Sequence, residues 1–157
     1  MKRTLILGLG NPLQGDDGVG CHIAETLQRQ MLSDDVEVID GGTPGIGLLN
    51  LFEGRQCVII IDAAEMGLPA GEYRRFEPHE VVLTGSNQRF SLHRTGVIDA
   101  LALARELNIA LPKIVFFGVQ PQSVEWRDGL SPRVQAAVPR VIEAILYEME
   151  GSQSEKV

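Results

Sequence analysis

Three short, nearly uninterrupted apolar runs constrain this chain more than any other feature. They are Thr4–Leu9, Cys57–Ile61 (Cys-Val-Ile-Ile-Ile) and Ile114–Val119 (Ile-Val-Phe-Phe-Gly-Val). A strand with one wet face alternates apolar and polar residues, so a run without alternation must be covered on both sides. Two weaker runs, Val36–Ile39 and Glu72–Phe76, bring the candidate strands to five, and the last is polar enough for a sheet edge.

Helical patterns fill the gaps. Val19, Ile23, Leu27 and Met31 recur every four residues across Asp17–Met31, and Val97, Leu101, Ala104 and Leu107 follow at spacings of four, three and three. A short helix is expected within Gly45–Glu53. Ser131-Pro132 is a start signal, with Ser as N-cap and Pro at the first helical position. Val134, Val138, Val141 and Ile145 then mark one face of a helix reaching about Met149. Strands alternating with helices imply a mostly parallel sheet in an α/β sandwich. Only Ala63–Gly71 separates the third and fourth strands, and a parallel crossover needs about a dozen residues or more. The fourth strand is therefore expected to run antiparallel to the third.

At 157 residues the chain fits one domain, residues 1–150, with Gly151–Val157 as a frayed polar tail. Fourteen Lys and Arg against 21 Asp and Glu give a net charge of −7, which argues against binding nucleic acid or an anionic membrane. The basic, apolar start at Met1–Leu7 is cut short by Gly8, Gly10 and Asp16-Asp17, too early for a signal peptide or a membrane span. The two cysteines, Cys21 and Cys57, cannot frame a zinc site and read as small core residues. Buried thiols without a signal peptide point to a reducing cytoplasm.

Ligands of open α/β sheets bind at the carboxyl ends of the strands. The first strand runs into Gly8-Leu9-Gly10-Asn11-Pro12-Leu13-Gln14-Gly15-Asp16-Asp17-Gly18-Val19-Gly20, the second into Asp40-Gly41-Gly42-Thr43, the third into Asp62 and the fifth into Gln120-Pro121. Asp17, Asp40 and Asp62 are thus carried to one rim, where like charges repel unless a cation or protons compensate. Plainer roles exist: Asp62 as the cap of a turn, and Asp16 and Asp17 as acids at a helix N-terminus, the preferred reading for Asp16. His22 reads as a helix residue of the surface or of a satisfied core, and His79 as part of a solvated loop. His93, in Ser91–Gly96, ends a segment without strong periodicity that begins at Glu77, just before a helix. Two aspartates and one histidine form an O,O,N set suited to zinc or nickel with open positions, although the spacings match no local motif.

The opening has the outline of a dinucleotide fingerprint but fails in detail. The third glycine should stand at position 13, which is Leu13, and Pro12 removes an N–H donor. Asp16 and Asp17 put negative charge where a pyrophosphate would sit. Neither a Gly-Lys-Ser/Thr loop nor a Gly-x-Ser-x-Gly elbow is present.

Gly8–Gly20, together with Asp40-Gly41-Gly42-Thr43, the run into Asp62-Ala63, the His93 segment and Gly118-Val119-Gln120-Pro121, resembles the nickel–iron hydrogenase maturation endopeptidases from about Thr4 to Glu148. The resemblance implies a three-layer α/β/α sandwich with a twisted five-stranded sheet. It implies an enzyme that clips the C-terminal extension from a nickel-loaded hydrogenase large-subunit precursor, its protein partner. It implies catalytic and metal-contacting roles for Asp17, Asp62 and His93, and substrate and metal recognition for Asp40. Nickel would arrive with the precursor rather than sit as a resident cofactor, and the protein would act as a monomer. A non-catalytic nickel metallochaperone and a nucleotide-binding enzyme are the alternative readings.

Overall fold

The computed structural model describes residues 2–83 and 96–154. Five strands form one sheet: β1 (Thr4–Leu9), β2 (Val36–Gly42), β3 (Cys57–Ala63), β4 (Tyr73–Phe76) and β5 (Lys113–Val119). Their order is β2-β1-β3-β5-β4, parallel throughout except that β4 pairs antiparallel with β5. The fourth strand does run opposite to the third, as the short connection requires, but it hydrogen-bonds to the fifth at the sheet edge.

Helices cover both faces, which is why the three apolar runs lack alternation. On one face Ile6, Ile59, Ile61 and Val119 pack against α1 (Val19–Gln28) and α5 (Pro132–Ser154). On the other, Leu5, Leu7, Ile60 and Phe116 pack against α2 (Leu48–Phe52) and α4 (Val97–Glu106). Burying such a side chain is worth roughly 1.5–3 kcal/mol, so these two cores carry most of the stability.

Several boundaries differ from the sequence reading. The first helix begins at Val19, after a 3-10 turn at Gly15–Gly18, and ends before Met31, which stands exposed. Leu107 likewise lies just past α4 and is exposed. Pro78–Leu83 forms a short helix, α3, inside the segment expected to lack regular structure. Pro78 is its first residue, and the Glu80 carboxylate accepts the Glu77 N–H at 3.1 Å, half of a capping box. α5 continues through Ser154, past Met149, because no proline stops it where its apolar stripe ends. Residues 155–157 of the expected tail lie outside the described residues.

Candidate active site at the carboxyl rim of the sheet

β1 lies between β2 and β3, with Gly8 in register with Asp40 on one side and Ile61 on the other. Asp40 and Asp62 therefore flank the end of β1 from either side. Asp62 lies within β3 rather than after it, paired with Gly118 of β5, and is only 3% exposed. It continues the face of β3 that carries Val58 and Ile60, the face covered by α4. Asp40 is exposed.

Asp17 arrives from the 3-10 turn and is 4% exposed. Its Oδ2 accepts the Asn11 N–H at 2.9 Å. The loop folds so tightly that a methyl group on Gly10, whose φ is +128°, would lie 1.9 Å from the Asp17 carbonyl oxygen. One turn later a methyl on Gly20 would lie 2.2 Å from the Ile61 oxygen and 2.4 Å from the Leu9 oxygen. These glycines seat the start of α1 directly on the ends of β1 and β3, and so bring Asp17 toward Asp62 from 45 residues away. They serve close backbone packing.

Asp16 does not cap its own helix. Its carboxylate, 1% exposed, accepts N–H bonds from Gln122 (2.8 Å), Ser123 (3.2 Å) and Ser131 (2.7 Å), and the Ser131 hydroxyl at 2.7 Å. Ser131 stands at the start of α5 as expected, and its carbonyl accepts the Gln135 N–H, but its hydroxyl is spent on Asp16. The Asp17 loop is thereby sewn to the loop between β5 and α5. Gln120 does the same for the chain after Asp62. Its Oε1 accepts from Met66 N (2.7 Å) and Leu68 N (3.3 Å), while its Nε2 donates to Glu65 (2.7 Å).

Cys57 is a buried core residue, as read. Cys21 is buried too, but it sits among the acids. Its thiol lies 3.3 Å from the Gly10 oxygen and beside Asp40. Burial, the hydrogen bond to Asp40 and the negative charges of Asp40 and Asp62 push its pKa far above the ordinary thiol value. A nucleophilic cysteine needs the opposite shift, so Cys21 is a neutral donor here. The apolar context of the helix pattern hid this role, and a thiol one turn beyond an acidic loop was the available signal.

Among the described residues, one group of three potential metal donors lies within 4.8 Å of one another: Glu77, His79 and Glu80, on and beside α3. Glu80 there is engaged in capping the helix. Asp17, Asp40 and Asp62 share the rim but do not by themselves close on one point. His93, the imidazole of the expected set, lies outside the described residues. Three residues after it, Gly96 (φ +74°) opens α4 with its backbone against Gly45, where a methyl would lie 2.8 Å from the Gly45 Cα. Gly45 follows the Asp40-Gly41-Gly42-Thr43 stretch closely.

The family model for hydrogenase maturation proteases (HycI) matches residues 21–148. The chain belongs to the hydrogenase maturation protease family. It is 35% identical over 158 residues to the hydrogenase 2 maturation protease of Escherichia coli, covering 99% of this chain and 95% of that protein. The structure of the E. coli hydrogenase-maturating endopeptidase HybD superposes with a TM-score of 0.83 at 36% identity, over 96% of this chain and 93% of that one. A hydrogenase expression/formation protein, HupD of Thiocapsa roseopersicina, is 36% identical over 146 residues, and there the chain spans 92% of itself but 66% of the relative. The family's α/β fold, with one antiparallel pair in a five-stranded sheet, is the fold found here. Among the described residues no helix is long and apolar enough to cross a membrane.

Proposed function

We propose that this protein is an endopeptidase that removes the C-terminal extension of a nickel-loaded hydrogenase large-subunit precursor. The observation that carries the reading is the pair of buried carboxylates, Asp17 and Asp62, held at the ends of adjacent elements in a chain that belongs to a protease family. Asp17, Asp62 and His93 are the residues that do the chemistry, and Asp40, exposed beside them, meets the incoming substrate.

Two carboxylates and an imidazole far apart in the chain, with no thiolate, hold a free divalent ion loosely. The donor set fits a metal that comes with the substrate and brings other ligands of its own. Nickel in the precursor would mark the substrate as ready to be cut, and as a Lewis acid it would polarise the scissile carbonyl or the attacking water. The protein's part is to hold Asp17 and Asp62 rigidly, so that a carboxylate takes the proton of the attacking water. Rigid placement is what the Asp16 and Gln120 clamps supply. The Cys21 thiol donates to the Gly10 oxygen, with Asp40 beside it.

The test is incubation with precursor prepared with and without nickel, read by mass spectrometry. The nickel-loaded precursor should lose the mass of its C-terminal extension and the nickel-free one should not. An unchanged mass in both, with the two proteins in complex, supports the metallochaperone reading instead.

A further inference from the structure

Gln120 is 4% exposed, and both ends of its side-chain amide are fully engaged. Oε1 accepts the N–H groups of Met66 (2.7 Å) and Leu68 (3.3 Å), and Nε2 donates to Glu65 Oε1 (2.7 Å) and to the Pro121 oxygen (3.3 Å). Two backbone N–H groups that have left the sheet thus share one oxygen. Their place on the sheet ties them to Asp62. Asp62 pairs with Gly118 across β3 and β5, and residues in register share a face. A methyl group on Gly118 would lie 2.8 Å from the Ala64 Cβ and 3.5 Å from the Met66 Sδ. The chain leaving β3 therefore turns back across the face that carries Asp62, and the bare Gly118 lets it lie that close. Gln120, two residues past Gly118, continues the same face. The Ala64 N–H still donates to the Val119 oxygen at 3.0 Å, and the Gln120 amide takes over where that ladder stops.

We propose that Gln120 and Glu65 form an exchangeable pair that positions Asp62 for turnover, Glu65 fixing which way round the Gln120 amide lies. The proposal deepens the protease reading and rests on it. Gln120 is enclosed, so it acts through the turn at residues 65–68, and that turn fixes the end of β3. A reacting group displaced by about 1 Å loses on the order of a hundredfold in rate, so slack in the turn shows as lost turnover rather than as weaker binding. The group at position 120 must accept on one side and donate on the other. A carboxylate there would meet the Glu65 carboxylate oxygen to oxygen, and an amide at position 65 would relieve the clash. The Glu65 carboxylate is exposed, so its hydrogen bond to Gln120 orients it without burying it.

The test is a residue exchange in the full-length protein, assayed by steady-state processing of nickel-loaded precursor, with circular dichroism checking that each variant is folded at the assay temperature. Gln120→Glu should lower kcat about tenfold with KM within about twofold. Gln120→Glu combined with Glu65→Gln should return kcat to within about threefold of wild type, because donor and acceptor have changed places. Glu65→Ala, a truncation at an exposed position, should lower kcat about threefold with KM unchanged, and it carries the test if Gln120→Glu does not fold. Cleavage by the wild type together with unchanged kcat in the folded single variants overturns the positioning role and leaves the protease intact. So does a loss that appears in KM rather than kcat, or one that the exchange fails to relieve. Wild-type protein that leaves the precursor whole overturns the protease reading, and the positioning role with it.

Discussion

Asp16 and Ser131, 115 residues apart, meet through two 2.7 Å hydrogen bonds, one from the serine N–H and one from its hydroxyl. With Gln122 and Ser123 on the same carboxylate, they tie the Asp17 loop to the start of α5. Hydrogen bonds to a buried charge are worth about 1.5–3 kcal/mol each and do not add fully. Asp16→Ala should therefore lower unfolding stability by roughly 3–5 kcal/mol, and Ser131→Ala by about 1–2 kcal/mol. In urea denaturation the double variant should lose less than the sum. Strict additivity would mean the two residues do not interact.

Gly96→Ala tests the junction between α4 and the loop after Asp40. An alanine at φ +74° is strained by about 1–2 kcal/mol, and its methyl meets the Gly45 Cα at 2.8 Å. A melting temperature lower by roughly 3–8 °C is expected, with slower processing as the start of α4 shifts against the loop after Asp40. Wild-type calorimetry and processing rate would remove this contact from the account.

Cys21 is predicted to be dispensable for the chemistry. Cys21→Ala should keep processing within a few-fold of wild type, and iodoacetamide should label the folded protein slowly at both buried cysteines. The thiol's folded pKa lies above its ordinary value near 9, so the unfolded chain loses that proton first. Stability should fall as pH rises beyond about 9, and Cys21→Ala should flatten that alkaline limb. Complete loss of cleavage in Cys21→Ala would reassign the thiol to the reaction.

At low pH the Arg75–Glu148 pair is the probe. Arg75 Nε and Nη2 each donate to Glu148 at 2.9 Å, joining β4 to α5. The guanidinium holds the Glu148 pKa below its ordinary 4.5. The pair's stabilisation is complete above about pH 4.5 and is lost as pH falls through the lowered folded value. For a partly exposed bidentate pair this is about 0.5–1 kcal/mol. Glu148→Gln should cost that much at pH 7 and nothing at pH 2, by chemical denaturation at each pH.

The fold was legible because its signal is local. Unalternating runs at Thr4–Leu9 and Cys57–Ile61, short and bounded by helical patterns, read as doubly covered strands, and the nine residues of Ala63–Gly71 decide the direction of β4. Asp17, Asp40 and Asp62 were legible as rim residues because parallel strands all deliver their ends to one side. What the sequence hid is long-range. Asp16 looks like a helix cap, and only the fold reveals that its donors come from residues 122–131. Cys21 looks like core because periodicity counts a thiol as apolar and says nothing of the Asp40 beside it. The α3 helix was missed because a six-residue helix shows no period, although Glu-Pro-x-Glu at residues 77–80 was a start signal.

The central claim is that Asp17 and Asp62 act together on the scissile bond. It is tested most directly by incubating nickel-loaded precursor with Asp17→Asn and Asp62→Asn proteins, and with His93→Ala, each shown to melt no lower than wild type. The account predicts that the precursor keeps its full mass in every case, while removal of a carboxylate from a group of like charges leaves or raises the melting temperature. Precursor shortened at the wild-type rate by any two of the three variants would contradict it.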